Sequence, residues 1–227
     1  MHTARNRTPS ALALAWSGGK DSALALGRLQ RDGVDVRALL TTVTEEYERV
    51  SMHGVRRELL RRQAEALGIP LVEVRIPPAC PNDVYEKQMG RALESPPLDA
   101  LEAVAFGDLF LADVRRYREE RLAAAGKRAV FPLWGADTCA LARAFVADGF
   151  DARVVCLDPQ RMPRSSAGHV YDERFLDELP PGVDPCGENG EFHTFVSAGP
   201  LFARPVACRT GDVVERDGFV FCDLLPA

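Results

Sequence analysis

With 227 residues, 46% of them hydrophobic and 27% charged, the chain has the composition of an ordinary globular protein and the length of one large domain or two small ones. Its net charge of −5 argues against a protein that grips nucleic acid through many phosphates, and no apolar run approaches the ~20 residues of a membrane-spanning helix. Residues 1–10 lack the apolar core of a signal peptide, and the six cysteines, with no Cys-x-x-Cys pair among them, give a structural zinc site no support and read as reduced thiols of a cytoplasmic protein.

The predicted elements begin with an apolar run at 11–16, long enough for a buried strand. A glycine turn follows, then an Ala- and Leu-rich helix over 22–31 that Gly33 stops. Residues 36–43 form the next β-branched run. Residues 54–67 read as a helix ended by Gly68 and Pro70, and 71–76 as a third strand closed by Pro77 and Pro78. A helix is predicted over 82–92 with Asn82 as its cap, a strand over 103–107, and a charged helix over 113–125. This alternation implies a parallel sheet with right-handed crossovers, whose ligands sit at the carboxyl ends of the strands. That places Ser17, Thr41 to Thr44, Gly107 and Asp108 along one edge. A boundary falls near Lys127. Beyond it a helix is predicted over 138–148 and strands over 152–157, 192–196, 205–209 and 219–223. The stretches 159–166 and 180–190, rich in Pro, Gly and polar residues, have the composition of functional loops.

Ser17-Gly18-Gly19-Lys20-Asp21-Ser22 lies between the first strand and the first helix. Its glycines permit a tight turn and close approach to a ligand. The helix that follows offers unpaired N–H groups and a positive dipole end, and Lys20 adds a full charge, so the segment suits a phosphate or pyrophosphate. Gly-x-x-x-x-Gly-Lys-Ser/Thr is absent, so this is not a Walker A loop. It resembles the Ser-Gly-Gly-x-Asp-Ser loop of the adenine-nucleotide α-hydrolase (PP-loop) superfamily. By that resemblance Ser17, Gly18, Gly19, Lys20, Asp21 and Ser22 hold the ATP phosphates. Asp21 is open to two roles, magnesium ligand or helix cap.

Further motifs are Met52-His53-Gly54-Val55, Gln63-Ala64-Glu65-Ala66-Leu67-Gly68-Ile69-Pro70, Phe106-Gly107-Asp108-Leu109-Phe110 and Phe131-Pro132-Leu133-Trp134. Late in the chain comes Asp184-Pro185-Cys186-Gly187-Glu188-Asn189-Gly190-Glu191-Phe192-His193-Thr194-Phe195. Together these resemble the diphthine–ammonia ligase family, the diphthamide synthase ATP-binding domain, over most of the chain. The Arg- and Ala-rich composition is similar to that of a bacterial member. The resemblance implies a Rossmann-like, parallel-sheet α/β nucleotide-binding domain of the PP-loop (HUP) type over 1–127 and a smaller α+β substrate-binding domain over 128–227. It implies ATP and Mg2+ as cofactors, and amide formation as the activity. A carboxylate, protein-borne or small, is adenylated, ammonia or an amine attacks, and AMP leaves. In archaeal and eukaryotic members the carboxylate is that of diphthine on elongation factor 2. Where those members usually read Gly-Glu-x-Gly-Glu-Tyr/Phe-Glu-Thr, this chain has His193 at the position of the last acid.

Asp108, at a strand end on the ATP edge, is a candidate for magnesium or substrate, with a loop or capping aspartate as the plain alternative. Glu188 and Glu191 are candidates for a base or for holding a cation, against a solvated acidic turn. Lys20, Asp108, Glu188 and Glu191 form the candidate catalytic set, and Asp21 and Asp108 the candidate metal ligands. His193 and His53 are minor candidates. The arginines at 56, 57, 61 and 62 and at 115, 116, 118 and 121 are interspersed with acids and read as salt-bridged faces. Two other functions stay open: a PP-loop tRNA-modifying enzyme, which needs an RNA-binding surface, and a non-catalytic ATP-binding sensor. A homodimer is compatible with the sequence.

Overall fold

The computed structural model describes residues 9–227; the expectation for the polar stretch 1–10 lies almost wholly outside them. Two sheets make up the molecule. In the first, β1 (Ala11–Ala15), β2 (Asp35–Thr44), β4 (Leu71–Ile76), β5 (Ala103–Ala105) and β6 (Arg128–Val130) run parallel, and the two-residue β3 (Arg49–Val50) is antiparallel to β2. The parallel strands lie in the order β4-β2-β1-β5-β6. Val43 and Thr44 pair with β3 and β4 at once, so β3 takes up the edge of β2 where β1 ends. The helices between these strands are α1 (Lys20–Arg31), α2 (Arg57–Leu67), α3 (Asn82–Leu93) and α4 (Ala112–Ala124).

The strands form because β-branched and apolar residues cover both faces, as a sheet sandwiched by helices requires. Leu12, Leu14 and Leu39 face one core with α1 and α2. Ala13, Ala38, Leu40 and Val104 face a second, closed by Leu93 of α3 and Leu122 of α4. Helix α2 ends where Gly68 adopts φ 68°, a left-handed turn that glycine takes freely. Helix α3 starts one residue earlier than the capping argument gave. Pro81, not Asn82, sits at the cap, since its ring fixes the extended entry and Asn82 is already helical.

The second sheet is antiparallel, ordered β8-β7-β10-β9, with β7 (Asp151–Leu157), β8 (Phe192–Ala198), β9 (Cys208–Arg216) and β10 (Phe219–Pro226). Helix α5 (Thr138–Ala147) and the short α6 (Glu173–Asp177) flank it. The strand expected over 205–209 instead begins at Cys208 and runs to Arg216. Asp217 and Gly218 both take positive φ (52° and 83°) and join Arg216 directly to Phe219, the two-residue turn that an Asp-Gly pair favours. Phe192, Phe195, Val196, Val220 and Leu224 belong to the same core cluster as Leu14, Trp16 and Leu60 of the first half. No helix among the described residues is long and apolar enough to cross a membrane.

Candidate active site

The phosphate loop leaves β1 at Ala15 and enters α1 at Lys20. Gly18 has φ 81°, and a Cβ there would fall 2.7 Å from both Gln63 Oε1 and Leu60 Cδ1, so only glycine fits. A Cβ on Gly19 would meet the Thr194 carbonyl oxygen at 2.9 Å. The loop is thus pressed between α2 and β8. Gln63, fully buried, accepts from Trp16 Nε1 (2.9 Å) and donates to the Gly18 carbonyl (3.0 Å) and the Val196 carbonyl (2.6 Å). The Val196 amide donates back to the Gly18 carbonyl at 2.9 Å.

Four N–H groups open a helix without intrahelical partners. Here the Gly19 amide donates to Ser17 Oγ (3.3 Å) and the Lys20 amide to Thr194 Oγ1 (3.1 Å). No side chain caps the helix, so the Asp21 and Ser22 amides remain as its uncapped first-turn donors. Ser17, Asp21 and Ser22 line a cavity of about 800 Å3 at the carboxyl ends of β1, β2 and β5.

Lys20 does not line that cavity. Its ammonium is buried behind the loop, 2% exposed, paired with Asp21 Oδ2 at 3.0 Å and donating to the Cys186 carbonyl. It also faces the rings of Phe192 (5.2 Å) and Tyr171 (5.8 Å). Burial opposes its charge, but the Asp21 carboxylate beside it keeps its pKa above the ordinary value. Burial raises the Asp21 carboxyl, with Lys20 pulling the other way. Asp21 Oδ1 is buried with no protein partner, and Gly107 packs flat on the Asp21 backbone, where a Cβ would come within 2.9 Å.

Glu188 reaches the cavity from the loop before β8. Its Oε1 accepts from the amides of Leu109 (2.7 Å) and Phe110 (3.4 Å), just past β5. Burial pushes its carboxyl up to about 7, reinforced by Asp21 and Asp108 and opposed by the Leu109 amide. Glu191 does not join it. At 1% exposure it turns into its own loop, accepting from the Asp184 amide (3.3 Å) and Asn189 Nδ2 (3.1 Å) and pairing with Arg161 (3.3 Å). Asp108 lines the cavity but is held by Arg118, with Nε 2.8 Å from Oδ2 and Nη2 3.1 Å from Oδ1. Burial raises its carboxyl pKa against that pairing.

His53 and His193 also line the cavity, their ring centroids 4.3 Å apart. Burial, then Lys20, lowers His193 to about 4. Burial, His193 and Lys20 place His53 well below the usual histidine range. Both imidazoles are neutral at neutral pH, which lets them pack together, their planes tilted by 35°.

Sequence reasoning assigned no role to Gln63 or Thr194 and read Arg118 as part of a salt-bridged face. The arginine clusters are salt-bridged, as expected: Arg57 and Arg61 on Glu73, Arg56 and Arg49 on Asp223, Arg115 on Glu119, Arg121 on Glu86. Arg118 is the member that turns inward. Its guanidinium lies 4.3 Å over the Phe106 ring.

A model of the diphthamide synthase N-terminal domain matches residues 10–127, and one of the diphthamide synthase C-terminal domain matches residues 137–219. The chain is 26% identical over 230 residues to a diphthine–ammonia ligase of Rattus norvegicus, covering 90% of this chain and 85% of that protein. It is 26% identical over 228 residues to a diphthine–ammonia ligase of Schizosaccharomyces pombe, covering 92% of this chain and 38% of that longer protein.

Proposed function

As the chain belongs to the diphthamide synthase family, we propose that it is an ATP-dependent amide ligase that adenylates a diphthine-like carboxylate and passes the acyl group to ammonia or an amine. The observation that carries this reading is a convergence on one cavity. An uncapped helix N-terminus, the Asp21 carboxylate and Glu188 meet there, although Glu188 lies far along the chain.

A carboxylate oxygen of the substrate attacks the α-phosphorus of ATP. The bond from that phosphorus to the β-bridging oxygen breaks, and pyrophosphate leaves with the electron pair. The Asp21 and Ser22 amides and the positive end of α1 face the negative charge that builds up in this step. Lys20 adds its charge from behind the loop and fixes the Cys186 carbonyl, and with it the loop that carries Glu188. The amine nitrogen then attacks the acyl carbon, the bond to the AMP oxygen breaks, and the nitrogen gives up a proton. Glu188, near half-ionised at neutrality, takes that proton.

The residues fit a magnesium ion that arrives with the phosphates. Among the described residues no cluster of three or more metal-ligating side chains exists, and magnesium characteristically binds through one or two carboxylates together with phosphate oxygens. Asp21, with Oδ1 buried and unpartnered, would hold it; Asp108 faces the same cavity but is engaged by Arg118. When bound, the ion would neutralise phosphate charge. Burial pushes the thiols of Cys156 and Cys186 up to about 12, so neither of these two is a ready thiolate.

The test is incubation of the purified chain with ATP, magnesium, ammonium and a panel of carboxylic acids, followed by nucleotide analysis. AMP and pyrophosphate in equal amounts are expected. ADP as the sole product refutes the proposal.

A further inference from the structure

The cavity does not end at the phosphate loop. Beyond Asp108 it continues between α3 and α4, which pack on β4 and β6 respectively and leave a cleft between them. Tyr85, Met89 and Leu93 of α3 and Tyr117 and Leu122 of α4 form its walls. The total of about 800 Å3 lies high in the ~300–1,000 Å3 range of sites for one small ligand. Where the cleft opens into the phosphate end stands Arg118, braced on the Phe106 ring. Asp108 accepts from its Nη2 at 3.1 Å, and although Oδ2 lies 2.8 Å from Nε, that buried Nε has no hydrogen-bond partner among the described residues. The other arginine of the cleft, Arg121, is paired with Glu86 at 3.0 Å.

We propose that the α3–α4 cleft is the acyl-substrate site, that it takes a carboxylic acid with an extended apolar or aromatic body, and that Arg118 docks the carboxylate. This rests on the amide-ligase reading and adds to it the place and the chemistry of the acid. Three observations carry it. A guanidinium fork matches a carboxylate geometrically, and this one makes a single hydrogen bond to Asp108 while its buried Nε is left without one. Apolar walls with a few polar groups, here Arg118 beside Asp108, the paired Glu86 and Arg121, and Glu94, are the way small-ligand sites fix orientation. The cleft also opens directly onto Asp21 and Ser22, so an acid lying in it presents its carboxylate toward the phosphates and keeps its body away from them. The aromatic face under Arg118 strengthens the cationic site where water is scarce.

Binding itself provides the test, independent of turnover. The full chain is titrated with 3-phenylpropanoate and with acetate by calorimetry or ligand-observed NMR, and separately with a non-hydrolysable ATP analogue. 3-Phenylpropanoate is expected to bind about tenfold or more tighter than acetate, because its ring adds buried apolar area. Arg118→Gln should weaken it about tenfold or more, the size of one or two charge-assisted hydrogen bonds. Met89→Trp, which fills the cleft, should also abolish it. Asp108→Asn should tighten it several-fold, because it frees the guanidinium from a competing carboxylate. Unchanged binding in Arg118→Gln or Met89→Trp, or weaker binding in Asp108→Asn, overturns the assignment. Loss of the acid effects with intact ATP-analogue binding removes the cleft alone, whereas acid binding without any nucleotide affinity removes the ligase reading and leaves the cleft.

Discussion

Gln63 sets the turn of the phosphate loop, and Gln63→Leu isolates that role. The substitution keeps the side chain's approximate volume and deletes its three hydrogen bonds, to Trp16 Nε1, the Gly18 carbonyl and the Val196 carbonyl. The losses are unequal. The Gly18 carbonyl still accepts from the Val196 amide at 2.9 Å, but Trp16 Nε1, on a side chain only 2% exposed, is left with nothing. A buried polar group without a partner costs about 1–3 kcal/mol. The loss at Trp16 Nε1 together with those at the two carbonyls sums to about 2–5 kcal/mol. A domain stable by ~5–15 kcal/mol survives that, with Tm lowered by about 4–20 °C at ~2–4 °C per kcal/mol.

Stability alone does not separate a positioning role from a packing one, so the assay has two arms. Urea unfolding followed by tryptophan fluorescence gives the first. The KM for ATP in ATP–pyrophosphate exchange gives the second, and it should rise because the Gly18 carbonyl, left with the Val196 amide alone, fixes less firmly the turn that aims the Asp21 and Ser22 amides. Gln63→Glu sharpens the contrast. It keeps an acceptor for Trp16 but loses both donors to the carbonyls, so it should raise KM at least as much as Gln63→Leu. A Gln63→Leu variant with its urea midpoint and its KM both unchanged refutes the reasoning.

Glu188→Gln should lower the rate of amide formation and remove a rise in activity with an apparent pKa of about 7 from the pH profile; an unchanged acid limb in the variant speaks against Glu188 as the base. Gly107→Ala should lower activity more than stability, since the added methyl meets the Asp21 backbone at 2.9 Å and pushes the loop rather than the core; kcat and the melting temperature measured together check this. Asp223, although burial raises it, is held down at about 2 by Arg56 and Arg49. A depressed carboxyl contributes stability that is fully present above its unfolded value of about 3.9 and lost as pH falls toward 2. Asp223→Asn should therefore lower the urea midpoint at pH 7 and flatten the decline between pH 4 and 2; equal midpoints at pH 7 would be the contrary result.

Local pattern made the first sheet legible. Residues 71–76 read as a strand from hydrophobicity alone and are β4 without adjustment. The end of α2 at Gly68 was written in a residue that alone tolerates that φ cheaply. Less of the second sheet could be read. Strand β9 is exposed along nearly its whole length, so it carries no apolar alternation, and its one strong signal was the Asp217-Gly218 turn beside it. Strand β6, three half-buried residues, is too short for any periodicity. The site divided in the same manner. The phosphate loop is contiguous and announces itself, whereas the burial of the Lys20 ammonium away from the cavity, the inward turn of Glu191 and the pairing of Asp108 with Arg118 depend on which side chains tertiary packing brings together. Arg118 in particular sits in a helix whose arginines 115, 116 and 121 pair with Glu119, Asp113 and Glu86, and nothing in the order of charges marks it as different.

The two halves read from the sequence depend on each other at the atoms that matter. The late motif supplies the Thr194 hydroxyl that takes up the Lys20 amide, the Cys186 carbonyl that receives its ammonium and the Glu188 carboxylate on the Leu109 amide, and Val196, just past it, supplies the amide on the Gly18 carbonyl. Each of these joins the second sheet to a loop at the carboxyl end of the first. Residues just past Lys127 also form β6 of the first sheet, through pairs such as Ala105 with Val130. A phosphate loop without β8 would expose the buried Trp16, lose the Thr194 acceptor that orders the Lys20 amide, and lose the Phe192 ring that the lysine's charge faces. The second half thus does more than carry a substrate surface. By occupying the Lys20 amide, while Ser17 Oγ takes the Gly19 amide, and by clamping the lysine behind them, it leaves the Asp21 and Ser22 amides for ligand contact, so the loop has its binding form only when β8 is folded against it.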